Sequence, residues 1–252
     1  MEITSILRAL ASTIAAVIVS LVFNKIFLFK DVKQKIAQSN ARTEAFWAIG
    51  LCIFLLIIGT LLVSTYSSSE IQNASNIKDY YSIGYAVSQF VVFFFVMGLP
   101  LYFVLRIRKQ GMNSIGFTKL NLAKSIVLPF IILPTMAISS NYQGTNAGQS
   151  IIKFIAFLPV GFFEEAVFRG YLQTRLINWI GKWWGLFLSS LMFSLWHLPY
   201  RLLVDRMTFA YAILNLSTSF LIGTLILGWV FLLTRNIVAP TILHVLVDWW
   251  EA

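Results

Sequence analysis

Apolar residues in this chain fall in long, nearly unbroken runs, not in the narrow stripe of a water-facing amphipathic helix. A helix rising 1.5 Å per residue needs about 20 mostly apolar residues to cross roughly 30 Å of hydrocarbon. By that measure the sequence predicts eight spans, at about Ile6–Phe29, Phe46–Thr65, Tyr85–Leu105, Leu122–Ser140, Ile151–Gly170, Trp183–Pro199, Phe209–Leu233 and Ile237–Trp250. The polar stretches Lys30–Glu44, Tyr66–Gly84, Arg106–Asn121 and Asn141–Ser150 separate the first five. The last carries no charge and is the natural division between residues 1–149 and residues 150–252, with four spans on either side. No internal repeat or low-complexity tract is visible. The expected fold is all-α, a polytopic membrane bundle of about eight transmembrane helices forming one integral membrane unit.

Composition agrees with that pattern. Hydrophobic residues make up 58% of the 252 positions and charged residues only 12%, where a soluble domain carries about 25% charged residues. A soluble domain and a disordered chain are both excluded on these figures. The one cysteine, Cys52, sits inside an apolar run, so neither an intramolecular disulfide nor a cysteine metal cluster can form. The net charge of +9 lies between apolar runs, which points to loops on anionic lipid and not to nucleic acid. Counted on alternate sides of the spans, the bilayer divides the 19 basic residues fourteen to five. The larger group includes Lys25, Lys30, Lys33, Lys35, Arg42, Arg106, Arg108, Lys109, Lys119, Lys124, Arg169, Arg175, Lys182 and Arg235; the smaller is Arg8, Lys78, Lys153, Arg201 and Arg206. The positive-inside rule then puts both termini outside the cytoplasm. The first span has no small-residue cleavage site after it and is read as an uncleaved anchor.

Ionisable residues inside spans cost roughly 2.5–3.5 kcal/mol each on insertion scales, so their presence needs a reason. Spans two to four hold almost none away from their ends, whereas the fifth, sixth and eighth hold Glu164, Glu165, Arg169, His197, His244 and Asp248, including both histidines of the protein. Adjacent helical positions diverge by about 100°, so Glu164 and Glu165 face different ways. Glu165 and Arg169 form an i,i+4 pair in the favourable order, which leaves Glu164 without a local partner. His244 and Asp248 share one helical face. Each feature has a bland reading: an ion pair at a membrane edge, an interfacial histidine beside Trp196 and Pro199, an aspartate capping a helix end. Together on three spans they are what a water-activating or metal-binding site requires.

Glu-Glu-x-x-x-Arg at 164–169, Phe-x-x-x-His at 193–197 and His-x-x-x-Asp at 244–248 resemble the three signature motifs of the CAAX protease and bacteriocin-processing family (CPBP, also called Abi). The lead-in to the third motif is also similar, with Gly223, Gly228 and Trp229 followed by Arg235 and Ala239-Pro240. The resemblance covers roughly residues 150–252; the first four spans show no matching motif, and His-Glu-x-x-His and Gly-x-Ser-x-Gly are both absent. It implies an intramembrane endopeptidase in which Glu164 and His197 activate water, His244 and residue 248 stabilise the oxyanion, and Glu165 and Arg169 brace the first motif helix. Members have also been regarded as metalloproteases. This chain has Asp248 where prenyl-protein proteases carry Asn, and an ionised aspartate repels an oxyanion. Glu164, His197, His244 and Asp248 are therefore also a candidate oxygen and nitrogen set for Zn²⁺ or another divalent metal.

For Glu164 and His197 to lie at one depth, the fifth helix must be shifted to about Leu158–Ile180 or broken at Pro159. The implied substrates are membrane-associated peptides or proteins, lipidated or of the peptide-signal and bacteriocin-precursor kind; small size and short loops suggest a bacterial plasma membrane. Two other classes compete: a non-catalytic immunity or regulatory protein on the same fold, and a proton-coupled transporter, against which the missing inverted repeat argues.

Overall fold

The computed structural model describes residues 2–30, 40–65, 83–136, 147–220 and 225–251. Among them every regular element is helical. In chain order these are α1 (Glu2–Phe27), α2 (Ala41–Thr65), α3 (Ile83–Phe93), α4 (Leu99–Ile107), α5 (Leu122–Met136), α6 (Ala147–Glu165), α7 (Thr174–Ile180), α8 (Lys182–Trp196), α9 (Leu198–Leu203), α10 (Phe209–Ser219), α11 (Leu225–Thr234) and α12 (Val238–Glu251). Among the described residues three stretches are long and apolar enough to cross a bilayer, Leu7–Phe27, Ala41–Thr65 and Ile83–Ile107. The described part of each of the eight expected spans corresponds to helix; residues 137–140 of the fourth and 221–224 of the seventh lie outside the described residues. The seventh is described as two pieces, α10 and α11, while Gly223 lies outside the described residues.

The surface explains the composition. Along α2, Phe46, Trp47, Ile53, Phe54, Ile57, Leu61 and Leu62 all point outward, whereas Ala45, Ala48, Leu51, Cys52 and Leu55 pack inward. An outer face that apolar suits acyl chains as its solvent.

The fifth helix differs from the expected span. It does not break at Pro159, which is accommodated inside α6, and it runs on through a π-helical segment, Ala166–Gln173, into α7. Hydrogen bonds closing over five residues instead of four admit an extra residue and rotate the next turns about the helix axis. Glu164 lies sixteen residues before Ile180 and His197 fifteen after Lys182. At 1.5 Å per residue both are about 23 Å from the turn at Gly181, so they reach the same depth.

Every side chain from Ala166 to Leu176 is buried, and the surroundings that receive this segment come from the N-terminal helices. Leu51 and Leu55 of α2, Met97 and Leu101 near the α3–α4 junction, and Ile115 pack with Ala166, Val167, Phe168, Tyr171 and Leu172 in one core. Gly170 lets the backbone approach: a Cβ there would sit 2.6 Å from the Ile115 carbonyl oxygen. Arg175, wholly buried, donates to Ser114 O (2.9 Å), Ser114 Oγ (3.0 Å) and Gln110 Oε1 (2.5 Å). Gln110 in turn donates to Glu44 Oε2 (2.7 Å), and Arg108 holds Glu44 Oε1 at 2.6 Å. Arg175 is thus no loop residue, although a charge count by spans places it in one; Arg169 and Lys153 are buried as well.

The loops on the Arg108 side are tied together. Asn121 Nδ2 donates to Lys30 O and Thr234 O, both at 3.0 Å; Asn236 Nδ2 donates to Thr118 O and Leu120 O, both at 2.8 Å; and Ile237 N donates to Gly116 O (2.9 Å). Gly228, from the motif lead-in, accepts from Gln173 Nε2 (2.9 Å), and Trp229 Nε1 donates to Ser20 Oγ of α1 (2.9 Å).

Candidate active site

The site forms where α6 and α12 pack antiparallel. Their close approach rests on Gly161, where a Cβ would lie 2.7 Å from a Val245 methyl group. That contact brings the first and third motifs together. Glu165, fully buried, has its Oε1 3.2 Å from Arg169 Nη1 and accepts from His244 Nδ1 at 2.9 Å. The second bond is invisible to the sequence, because it joins residues 79 positions apart. With Nδ1–H committed to Glu165, His244 turns Nε2 toward Glu164 Oε2 (3.7 Å) and Asp248 Oδ2 (3.5 Å). Four of the six expected residues, Glu164, Glu165, His244 and Asp248, therefore meet around one imidazole, and Arg169 balances part of their charge.

Glu164 does face away from the Glu165–Arg169 pair, as adjacent positions on a helix must. Its Oε1 accepts from Trp196 Nε1 (2.9 Å), while Oε2 has no hydrogen bond among the described residues. The contact from the second motif is thus Trp196 and not its neighbour His197. A buried indole N–H needs an acceptor, which is the signal that singles out Trp196 beside the histidine.

His197 ends α8 and folds back on it, with Nδ1 3.0 Å from Phe193 O. A carbonyl oxygen only accepts, so Nδ1 carries the hydrogen and Nε2 stays open. Phe193 joins the two histidines: its ring meets His197 edge-on at 4.8 Å and His244 at 5.7 Å. The Arg169 guanidinium lies 3.9 Å from the same ring's centroid. Among the described residues Arg169 has no hydrogen bond through Nε, Nη1 or Nη2, and the ring face and the Glu165 ion pair hold this buried cation. The aromatic position of the second motif is a platform, a role its spacing does not reveal.

The candidate metal set is not assembled in this geometry. His197 is directed to its own backbone, and among the described residues no group of three or more His, Cys, Asp or Glu side chains is arranged to hold a metal ion. Of the four, Glu164 and Asp248 approach His244 Nε2, at 3.7 and 3.5 Å, while His197 is turned to Phe193 O, so the full set is not brought together.

Exposure is graded along the cluster. Side-chain exposure is 0% at Glu165 and 1% at Arg169, 5% at Glu164, 8% at His244, and 29% at Asp248, one turn nearer the end of α12. Lys153, buried on α6, attracts Asp248 across the helix pair.

Residues 146–250 match the family model described as type II CAAX prenyl endopeptidase Rce1-like. The matched segment contains all three motifs and both partners of the Glu165–His244 bond. It is a CPBP-family domain. That family is one of CAAX proteases, which supports peptidase activity on a peptide or protein held in a membrane. With the apolar helices, it marks the chain as an integral membrane protein. Comparison with curated proteins and with solved structures returns no match.

Proposed function

We propose that the protein is an intramembrane endopeptidase that hydrolyses a peptide bond with water activated by Glu164. One observation carries this reading. Glu164 is buried with one carboxylate oxygen fixed by Trp196 and the other, 3.7 Å from His244 Nε2, without a hydrogen bond among the described residues. A buried acceptor without a partner costs about 1–3 kcal/mol, and a substrate water at Oε2 relieves that cost.

In this reading Oε2 takes a proton from water as its oxygen bonds to the scissile carbonyl carbon. His244, oriented by Glu165 through Nδ1–H and protonated on both ring nitrogens, donates Nε2–H to the negative oxygen that develops. The C–N bond then breaks, and the amine nitrogen takes the proton back from Glu164. Asp248 orients His244 from the other side, and His197 offers its open Nε2 to the water or to the leaving amine. Arg169 offsets the charge of Glu165. No step is assigned to a metal. Residues 150–252 form the catalytic core and residues 1–149 the helical scaffold that receives the π-helical segment. The substrate is a membrane-associated peptide, lipidated or of the peptide-signal or bacteriocin-precursor class, and the compartment is a bacterial plasma membrane.

The test is cleavage in vesicles of a panel of membrane-anchored peptides, prenylated C-terminal motifs and apolar precursor peptides included. Wild type cleaves at least one, and Glu164→Gln lowers the rate about 10²- to 10⁴-fold, the range for a general base. Equal cleavage by Glu164→Gln rejects the mechanism. A folded wild type inactive on the whole panel while Glu164→Gln alters pH-driven solute uptake favours transport.

A further inference from the structure

Two gradients run along the bundle in opposite directions. Basic residues gather at the end where the loops are tied together: Lys25, Lys30, Arg42, Arg106, Lys109, Lys119 and Lys182 are exposed there. Exposed Trp183 and Trp184 stand beside Lys182, as aromatic residues do at a membrane interface. Of the described basic residues, once the three buried cations Arg169, Arg175 and Lys153 are set aside, ten belong to this side against three, Arg8, Arg201 and Arg206, on the other. The positive-inside rule assigns the basic end to the cytoplasm.

Access to the site runs the other way. Between the Glu165–Arg169 pair and the basic end, the π-helical segment and the start of α7 are buried throughout, and Arg175 is capped by Ser114 and Gln110. Packing of that kind excludes water and peptide alike. Toward the opposite end exposure rises through Glu164 and His244 to Asp248. Polar groups continue there with the half-exposed Arg201–Asp205 ion pair (2.8 Å), which lies at and just beyond the short α9.

We infer that the site opens to the extracytoplasmic side, and that its substrate is a peptide which reaches the enzyme from outside the cytoplasm, as a secreted or translocated chain does. This rests on the peptidase reading for the word substrate, but the direction of opening stands on packing and charge alone. A cytosolic lipidated C-terminus would arrive at the closed end.

The experiment uses cysteine labelling in intact bacterial cells. The one native cysteine, Cys52, is 4% exposed, so it gives a silent background. Single cysteines are placed by Lys119→Cys at the basic end, by Arg206→Cys at the far end and by Asp248→Cys at the mouth. Arg201→Cys is a second mouth position that lies outside the hydrogen-bonded cluster. A membrane-impermeant maleimide is expected to label Arg206→Cys and both mouth variants at least tenfold faster in intact cells than it labels Lys119→Cys, which reacts only after lysis. Mouth variants that react only after lysis, or that react from neither side while the protein elutes as a folded species, overturn the inference. Cleavage does not enter the readout. A reversed labelling pattern with a dead Glu164→Gln therefore sinks the direction and leaves the peptidase, and the expected pattern with an unaffected Glu164→Gln does the opposite.

Discussion

Replacing Trp196 by Phe removes one hydrogen bond from the candidate base and little else that is polar. Trp196 Nε1 is the donor on Glu164 Oε1, at 2.9 Å, and the ring also packs against Phe168 with centroids 6.3 Å apart. A hydrogen bond to a charged group is worth about 1.5–3 kcal/mol. If that bond aims the carboxylate, its loss appears in the chemical step. At 1.36 kcal/mol per decade, kcat falls about 10- to 150-fold, with KM changed less than threefold. Phe is also smaller, so some effect on stability is expected, and Gly59 separates the two contributions. A Cβ on Gly59 would lie 2.7 Å from the Trp196 ring, so Gly59→Ala alone presses on the indole and overpacks by about 1–3 kcal/mol. In the Trp196→Phe background the same methyl enters space the indole has vacated. The double variant should therefore recover Tm relative to Gly59→Ala without recovering kcat. Thermal unfolding in detergent and cleavage in vesicles read the two effects separately. Trp196→Phe with kcat within twofold of wild type would refute the claim that the indole positions Glu164, and recovery of kcat by the added methyl would mean that packing alone is responsible.

Three further outcomes are expected from the same contacts. Gly170→Ala drives a methyl group to 2.6 Å from the Ile115 carbonyl oxygen; it should lower stability by about 1–3 kcal/mol, read as a fall in Tm in a fixed detergent, and an unchanged Tm would contradict the close packing. Arg175→Met leaves Gln110 and Glu44 without the buried cation at the end of their chain; breaking such a network costs about 3–5 kcal/mol, so the folded yield by size exclusion should collapse, and Arg108→Met, which strips the buried Glu44 of its ion-pair partner, should lower it as well. Chelators should leave cleavage within twofold of the untreated rate, with less than one equivalent of metal per chain by elemental analysis, since His197 is turned to its own backbone and among the described residues no group is arranged to hold a metal ion; loss of activity reversed by added zinc would show that the site rearranges around a metal.

The helices are legible in the sequence because run length is a property of neighbouring residues: the outward Phe54, Ile57 and Leu61 of α2 and the inward Ala48 and Leu55 differ in facing but not in hydropathy. The continuation of the fifth helix to Ile180 is harder to read. Arg169, Gln173 and Arg175 look like the end of a span until their partners are known, and those partners, Phe193, Gly228, Ser114 and Gln110, come from distant elements. The same limit operates at the site. Glu165 with Arg169 and His244 with Asp248 are i,i+4 pairs that helix geometry announces. The bond from Glu165 to His244 and that from Trp196 to Glu164 need the antiparallel packing of α6 on α12 and the turn of α8, which no local spacing encodes. Counting basic residues by side fails in a similar way at Arg169, Arg175 and Lys153: hydropathy treats every arginine and lysine as a candidate loop residue, whereas burial is decided by tertiary partners.

The central claim is that Glu164 and His244 act as one unit on one water and one carbonyl. The most direct measurement is a double-mutant cycle on cleavage, with Glu164→Gln, His244→Asn and the two combined, each checked for folding. Groups that act together give grossly non-additive losses, so the account predicts a double variant within about threefold of the slower single variant. Losses that multiply would contradict it, because they would mean that the two residues contribute to separate steps.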